Sequence, residues 1–378
     1  MKITVAHHCR DFTSYRAARV KSLFNAESGC EFRREFELPL EDGWKVGVIV
    51  GPSGSGKSSC GARMFPGVAI HDLHAGWPEN QPVIDAIAPE GSFDAATAAL
   101  STVGLGDVPA WLRPFRVLSN GEQFRAGLAR VICDAPAQVV IDEFTSVVDR
   151  QIAKVGALAF AKAWRRTSGQ AVLLSCHYDI LEWIEPDWVL DTSAGRFTGR
   201  ALWRRPRIEL SIHKTGWEFW PMFEPHHYLK LPRMICADCF VGTVAGEPVC
   251  HVATSPKFQT GHMRACRLVV MPEWQGAGVG VRFLDAVCEM QLRGENRWGR
   301  KCQTLFHTSH PGLAAALRRS PRWVQCSAVL YGGNKLKSAQ SLAASRARVG
   351  KAVVGSGYGG HFRAVQGFKY TGEGAGVN

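Results

Sequence analysis

Short apolar runs punctuate the first half of the chain and end on polar or glycine-rich turns. "KVGVIV" (residues 45–50), "AQVVI" (137–141) and "AVLLS" (171–175) each read as an apolar strand. The second half follows a different order. In "CFVGTVAGEPVCHVAT" two strands are joined by a turn at residues 245–247, and residues 267–270 form a third strand. Val281, Leu284, Cys288 and Leu292 then recur at helical spacing, and "CQTLFHT" returns to a strand. The two patterns meet at "GRFTGRALWRRPRIELSIHK", a basic, proline-containing stretch after which a new strand begins near Ile208. A chain of 378 residues exceeds one small core. The expected division is therefore a first domain at 1–205 and a second at 206–378.

Composition narrows the class. No run of about 18 apolar residues occurs, and the start "MKITVAHHCRDF" lacks the apolar stretch of a signal peptide. The expectation is a soluble, cytoplasmic protein with no membrane partner. The twelve cysteines are scattered, mostly in apolar segments, and read as reduced core residues. Cys236 and Cys239 are the one tight pair, and with no second CxxC they read as part of a half-buried strand rather than a zinc site. Charge is uneven: residues 1–205 hold 23 Lys+Arg and 23 Asp+Glu, and 206–378 hold 22 and 10, so the whole +12 excess lies in the second half. Positions 296–372 contain 13 basic residues and no acidic one, which points to a polyanion such as nucleic acid.

In "GPSGSGKSS" Gly51, Gly56, Lys57 and Ser58 stand at P-loop spacing after a strand. Glycines here, with Ser53, Gly54 and Ser59 between and after them, let backbone N–H groups converge on a β-phosphate. Lys57 reaches the β and γ oxygens, and Ser58 ligates Mg²⁺. "AQVVIDEFTSVVD" places Asp142 and Glu143 at a strand end, the first suited to the Mg²⁺ shell and the second to polarising the attacking water. "LSNGEQFRAGLARVI" lies upstream, and "AVLLSCHYD" ends a strand on His177. In this order, over residues 15–200, the set resembles the ABC ATPase family. The resemblance implies a Walker A loop at 51–58, a signature at 118–122 with Ser119 and Gly121, Asp142 and Glu143 as the Walker B pair, Asp149 in the D-loop and His177 as the switch histidine. It also implies a head-to-tail, ATP-dependent homodimer in which Ser119 meets the γ-phosphate held by a second copy. Gln81 and Phe24 are the candidates for the Q-loop glutamine and the adenine-stacking ring.

A second glycine loop sits in "CRLVVMPEWQGAGVGVRFLDAV", where Gln275, Gly276, Gly278 and Gly280 precede a helix whose first N–H groups suit a pyrophosphate. A dinucleotide site of Rossmann type, which would need a βαβ unit with an acidic residue about 20 positions on, is the rival reading; here the helix is followed by "GENRWGR" and a strand, and the rival is set aside. With the β-β-turn-β-loop-helix order around it, the segment 208–372 resembles the GNAT acyltransferases. The implied fold class is an α/β P-loop NTPase domain of ABC type followed by an α+β GNAT domain. The implied ligands are ATP, Mg²⁺ and acetyl-CoA or another acyl-CoA. In "SHPGL", Ser309 and His310 either face the chemistry or, with Pro311, form a helix start capped by Ser309. In "FEPHHYL", His226, His227 and Tyr228 lie near the entry, with at most one of the two histidines turned inward; His227 is the candidate. "HHYL", "TSHPGL" and "RSPRW" give the whole chain a resemblance to phage and prophage fusions of an ABC ATPase with a GNAT domain, distantly related to Mom-type DNA-modification proteins. The implied function is an ATPase coupled to an N-acyltransferase acting on nucleic acid, with DNA modification favoured. The alternatives are an ABC transporter subunit with a regulatory GNAT domain, and an acetyltransferase of protein or aminoacyl-tRNA amines.

Overall fold

Strands and helices follow the chain as β1 (Lys2–His8), α1 (Tyr15–Phe24), β2 (Glu31–Glu37), β3 (Val46–Val50), α2 (Lys57–Met64), β4 (Ile70–His71), α3 (Val83–Ala86), α4 (Phe93–Thr102), α5 (Val108–Trp111), α6 (Asn120–Asp134), β5 (Gln138–Ile141), α7 (Arg150–Trp164), β6 (Gln170–Ser175), α8 (Leu181–Ile184), β7 (Trp188–Asp191) and β8 (Arg196–Thr198). They continue as β9 (Ser211–Thr215), α9 (Trp220–Phe223), β10 (Asp238–Val244), β11 (Glu247–Lys257), β12 (His262–Val270), α10 (Val279–Arg293), β13 (Thr304–Thr308), α11 (Pro311–Arg319), β14 (Trp323–Val329) and β15 (Val365–Tyr370). The structure is a computed structural model that describes residues 1–24, 31–200, 203, 205–227, 229, 233–234, 236–257, 260–330 and 364–372.

The chain divides into two units, Met1–Gly91 with Arg113–Arg207, and Ser92–Leu112 with Ile208–Asn378. A single cut at 205 therefore does not separate them, because residues 92–112 belong to the second unit. The apolar pattern of that segment shows that one face is buried. It carries no information about which surface covers it.

In the first unit a six-stranded sheet has the order β4-β5-β6-β3-β7-β8, parallel except for the last pair. Parallel strands are covered on both faces, and this is why their sequences run apolar without alternation. All five residues of β3 are buried. The carboxyl ends of β3, β5 and β6 lie side by side, and in open parallel sheets ligands bind at such ends. An antiparallel ribbon of β1 and β2 adds Ile3, Val5 and Phe36 to the same core.

In the second unit the sheet order is β14-β15-β13-β12-β11-β10-β9. Among the described residues only β12 and β13 are parallel, and they pair through three residues each, Met263 to Ala265 against Thr304 to Phe306. Beyond those pairs β12 follows β11 and β13 follows β15. The divergence has a local cause. The β11–β12 register shifts between His251 and Ala253, and opposite it Arg267 takes φ 59, a bulge that bends the strand. β10 and β11 are joined through Ala245 (φ 51) and Gly246 (φ 86), the left-handed pair that a tight hairpin uses. Cys239 is buried in β10, whereas Cys236 is exposed before it with φ 55, so the pair straddles a strand start.

The core of this unit packs α10 on the sheet through Val279, Phe283, Leu284, Val287 and Cys288. Asp285 lies on the same helix, accepting from Trp323 Nε1 at 2.7 Å and facing Arg322 Nη1 at 3.8 Å. Burial raises its pKa above the ordinary carboxylate value, outweighing the indole bond and Arg322. With the folded pKa above the unfolded one, folding disfavours the charged form. The cost is absent below the unfolded pKa and complete once pH passes the folded one. Asp285→Asn is expected to raise the urea midpoint at pH 7 relative to wild type, with the gain vanishing toward pH 3.

Candidate functional site

The turn after β3 is set by glycine conformations. Gly54 (φ 77) and Gly56 (φ 91) are left-handed, and at Gly51 a Cβ would lie 2.1 Å from Thr192 Oγ1. Thr192 holds the loop from behind, donating to Val50 O at 3.0 Å and bonding Ser55 Oγ at 2.6 Å. Lys57 Nζ donates to Gly51 O and Pro52 O, each at 2.8 Å, so its ammonium lies folded over the loop.

Next to it stands the end of β5. Asp142 N donates to His71 O at 3.1 Å, and Glu143 N donates to Asp142 Oδ1 at 2.8 Å. Glu143 has φ 46 and Thr145 φ 72. Left-handed backbone is uncommon for Glu and a marked outlier for a β-branched residue, so this turn holds strain where the chemistry would occur. Thr145 fastens it, its Oγ1 lying 3.3 Å from both Ser175 Oγ and His177 Nδ1. Neither Thr145 nor Thr192 was singled out by sequence, since each acts through a contact made across the sheet.

Ser53, Gly54, Gly56, Lys57, Ser58, Ser59, Asp142 and Glu143 border one cavity of about 470 Å³. His7 and Phe32, from β1 and β2, complete its wall, and His7 Nε2 bonds Ser59 Oγ at 2.7 Å. Phe24 is exposed and is replaced on that wall by Phe32, because the strand and not α1 reaches the loop. Gln81 is exposed as well. Cys176 borders the cavity, while His177 sits behind it on Thr145. Burial lowers the His177 pKa, Arg150 lowers it further and Asp179 opposes them.

The other motif positions serve as helix caps. Ser119 begins α6 in a capping box, its Oγ receiving Glu122 N at 3.4 Å while Glu122 Oε2 accepts from Ser119 N at 2.7 Å. Gly121 is buried in the first turn of that helix. Asp149 caps α7 by accepting from Gln151 N at 2.8 Å.

In the second unit Gly276 (φ 93) and Gly278 (φ 77) turn the chain into α10, which has Gly278 at its N-cap and no side-chain cap bond. Among the described residues a Cβ at Gly278 would meet nothing within 4 Å, whereas one at Gly280 would lie 2.8 Å from Val270 Cγ2. Gly280 therefore serves the packing of helix on strand, and among the described residues the space beside Gly278 is open. Gln275 is fixed at both ends of its amide: Nε2 donates to Val270 O at 3.0 Å, and Oε1 accepts from Gly106 N at 2.9 Å.

The cap of α11 is His310, whose Nδ1 accepts from Leu313 N at 3.3 Å, and Ser309 lies one residue before it. Pro311 fixes this register, since proline occupies the first helical position and the residue before it becomes the cap. Ser309 Oγ donates to Ala364 O at 2.7 Å, at the end of β13. His227 is buried elsewhere in the unit, its Nδ1 at 2.7 Å from Leu229 O and its ring 5.7 Å from Trp220. Tyr228 lies outside the described residues. His251, which no motif marked, is fully buried among Trp217, Trp220 and Phe223 with Nδ1 3.3 Å from Arg267 O, and burial pushes its pKa down to about 4. It is a neutral donor to the carbonyl of the bulge.

The basic stretch is partly compensated. Arg297 pairs with Asp238 at 2.9 Å and Arg322 faces Asp285, acids distant in sequence that a linear count could not place. Arg300, Lys301, Arg318 and Arg319 are exposed. Lys335, Lys337, Arg346, Arg348 and Lys351 lie outside the described residues. Among the described residues no group of His, Cys, Asp and Glu forms a metal cluster, and no helix is long and apolar enough to cross a membrane.

No family model matches the chain. A cytochrome c biogenesis ATP-binding export protein of Rhodospirillum rubrum is 31% identical over 167 residues, covering 35% of this chain and 68% of the relative. A phosphonates import ATP-binding protein of Hyphomonas neptunium is 28% identical over 186 residues, 38% of this chain and 70% of the relative. Two solved structures of a dimeric bacterial ABC transporter cassette, one in a post-hydrolysis state with ADP and Pi, are 14% identical at a TM-score of 0.37; they cover 53% and 52% of this chain and 99% of their own. With a 31% identical relative matched over 68% of its length, the chain belongs to the ATP-binding cassette family of ATPases.

Proposed function

We propose that the first unit hydrolyses ATP to drive a second unit that takes an acyl-CoA and passes its acyl group to an amine, with nucleic acid the favoured acceptor. What carries the ATPase half is the convergence of Lys57, Ser58, Asp142 and Glu143 on one cavity. A hydroxyl and a carboxylate form a hard oxygen donor set suited to Mg²⁺, and Ser58 with Asp142 would hold it. Bound there, the ion supplies neutralisation of phosphate charge. Glu143 accepts the proton of the attacking water. His177, its pKa held below the ordinary value, stays neutral at pH 7 as a polar partner. Ser119, Gly121 and Asp149 are proposed to act on the nucleotide of a second copy, which makes an ATP-dependent homodimer part of this reading.

The acyl-transfer half rests on the sheet order of the second unit, the divergence of β12 from β13 and the glycine loop that follows β12. These are the features by which the segment resembles GNAT enzymes. The N–H groups at the start of α10, with Gln275, Gly276 and Gly278 before them, would receive the pyrophosphate. The acceptor nitrogen forms the amide bond as the thioester C–S bond breaks, and the CoA thiol leaves with the proton. Ser309, at the end of β13, is the candidate polar group of the acceptor site, while His227, buried against Trp220, is left outside it. The exposed Arg300, Lys301, Arg318 and Arg319 support a polyanionic acceptor.

Both curated relatives are named as ATP-binding proteins of export or import, which favours a second reading at least as strongly. In it the cassette is the ATP-binding subunit of a transport system and the second unit regulates it. Fractionation with a membrane partner, together with a silent acetyl-CoA titration, decides for that reading.

The test of acyl-CoA binding is calorimetry on the full chain. Wild type is expected to bind acetyl-CoA, and Gly278→Val to bind it at least about tenfold more weakly with ATP affinity unchanged, because valine is strained at φ 77 and projects a branched side chain at the helix start. No heat with wild type overturns the acyl-transfer half. Label from the acetyl group found only on protein or aminoacyl-tRNA overturns the nucleic-acid acceptor.

A further inference from the structure

We infer that Ser92–Leu112 is a strap through which the nucleotide state of the cassette sets the shape of the Gln275–Gly280 loop. The inference rests on the acyl-CoA reading of that loop and adds its regulation.

The strap leaves the first unit after Gly91 and returns at Arg113. Its two roots are tied within that unit, Val83 N donating to Arg113 O at 3.0 Å and Pro82 bridging Pro114. Six residues beyond Arg113 is Ser119, the cap of the signature helix α6. The strap is thus covalently continuous with the part of the cassette proposed to sense the γ-phosphate.

Its far end is built into the second unit. Ala99, Leu100, Val103, Leu105, Ala110 and Trp111 are buried. Trp111 Nε1 donates to Leu105 O at 2.8 Å and holds the turn at residues 103–107 in one shape. That turn lies on the glycine loop. Gly106 N donates to Gln275 Oε1 at 2.9 Å, and Gly104, at φ 83, approaches so closely that a Cβ there would lie 2.1 Å from Gln275 O and 3.1 Å from Gly276 N. Two further contacts brace the neighbouring helix: Trp111 meets the His310 ring edge to face at 5.6 Å, and a Cβ on Gly312 would lie 2.3 Å from Ser101 Cβ.

Such packing has little slack, so a displacement of the strap must move Gln275 or break its bond to Gly106. Gln275 in turn anchors the loop to Val270 O. A helical insertion that served the cassette alone would have no need of glycines at 104 and 106 facing Gln275. The consequence is thermodynamic coupling: if nucleotide changes the affinity for acyl-CoA by some factor, acyl-CoA changes that for nucleotide by the same factor.

The test uses the full chain with the Glu143→Gln substitution, to keep ATP intact. Hydrogen exchange of amides 273–281 is expected to change on saturation with Mg·ATP, and not when Lys57→Ala is added. The Kd for acetyl-CoA is expected to shift by about fivefold or more, with a reciprocal shift for ATP. Gly104→Ala, or Trp111→Leu should the first fail to fold, is expected to reduce the shift while ATP still binds. Saturating ATP that leaves both the exchange and the acetyl-CoA Kd unaltered overturns the strap and leaves the acyl-CoA reading standing. An exchange response in a chain that binds no acetyl-CoA supports the strap and overturns that reading instead.

Discussion

Glu143→Gln is expected to keep Mg·ATP bound and to slow its hydrolysis by about 10²- to 10⁴-fold, the usual contribution of a positioned general base. The substitution is unusually clean here. Glu143 occupies left-handed backbone with its N–H on Asp142 Oδ1, and glutamine has the same Cβ and nearly the same shape, so turn and strain persist while the basic oxygen is lost. If Ser119 and Gly121 act on a second copy's nucleotide, the variant accumulates as a dimer with ATP and Mg²⁺. Size-exclusion chromatography reads this, and a monomer at saturating ATP contradicts the two-copy arrangement.

Lys57→Ala is expected to weaken ATP binding by roughly 30- to 4,000-fold, the effect of about 2–5 kcal/mol for removing one partner of a desolvated charge pair. In the structure the ammonium bonds Gly51 O and Pro52 O, and it would exchange those carbonyls for phosphate oxygens. The fold should survive, because the loop is also held by Thr192 and Ser55. A variant that binds ATP within about threefold of wild type would show that the cavity beside Asp142 and Glu143 is not where the phosphates lie.

These two effects concern residues whose positions were legible from sequence for a physical reason. A P-loop and the acid pair at a strand end are local: neighbours in the chain build them, and the strand before each is marked by an unbroken apolar run. The glycine loop before α10 was legible on the same ground. What escaped the sequence was contributed from a distance. Phe32 and His7 reach the cavity because β1 pairs with β2, and Thr145 holds His177 because β5 and β6 are adjacent. Asp285 compensates Arg322 across the second unit. Residues 92–112 read as part of the cassette because they lie between its motifs, yet their buried face belongs to the second unit, and no apolar pattern names its partner. Gly280 shows the converse limit. It matches a phosphate-loop spacing, but its close neighbour is the Val270 side chain.

The most direct test of a chain with two separate ligand sites is to titrate acetyl-CoA calorimetrically into the Glu143→Gln chain already saturated with Mg·ATP. The account predicts a binding event near one acetyl-CoA per chain with ATP retained. Displacement of ATP by acetyl-CoA, or no binding with or without ATP, would contradict it.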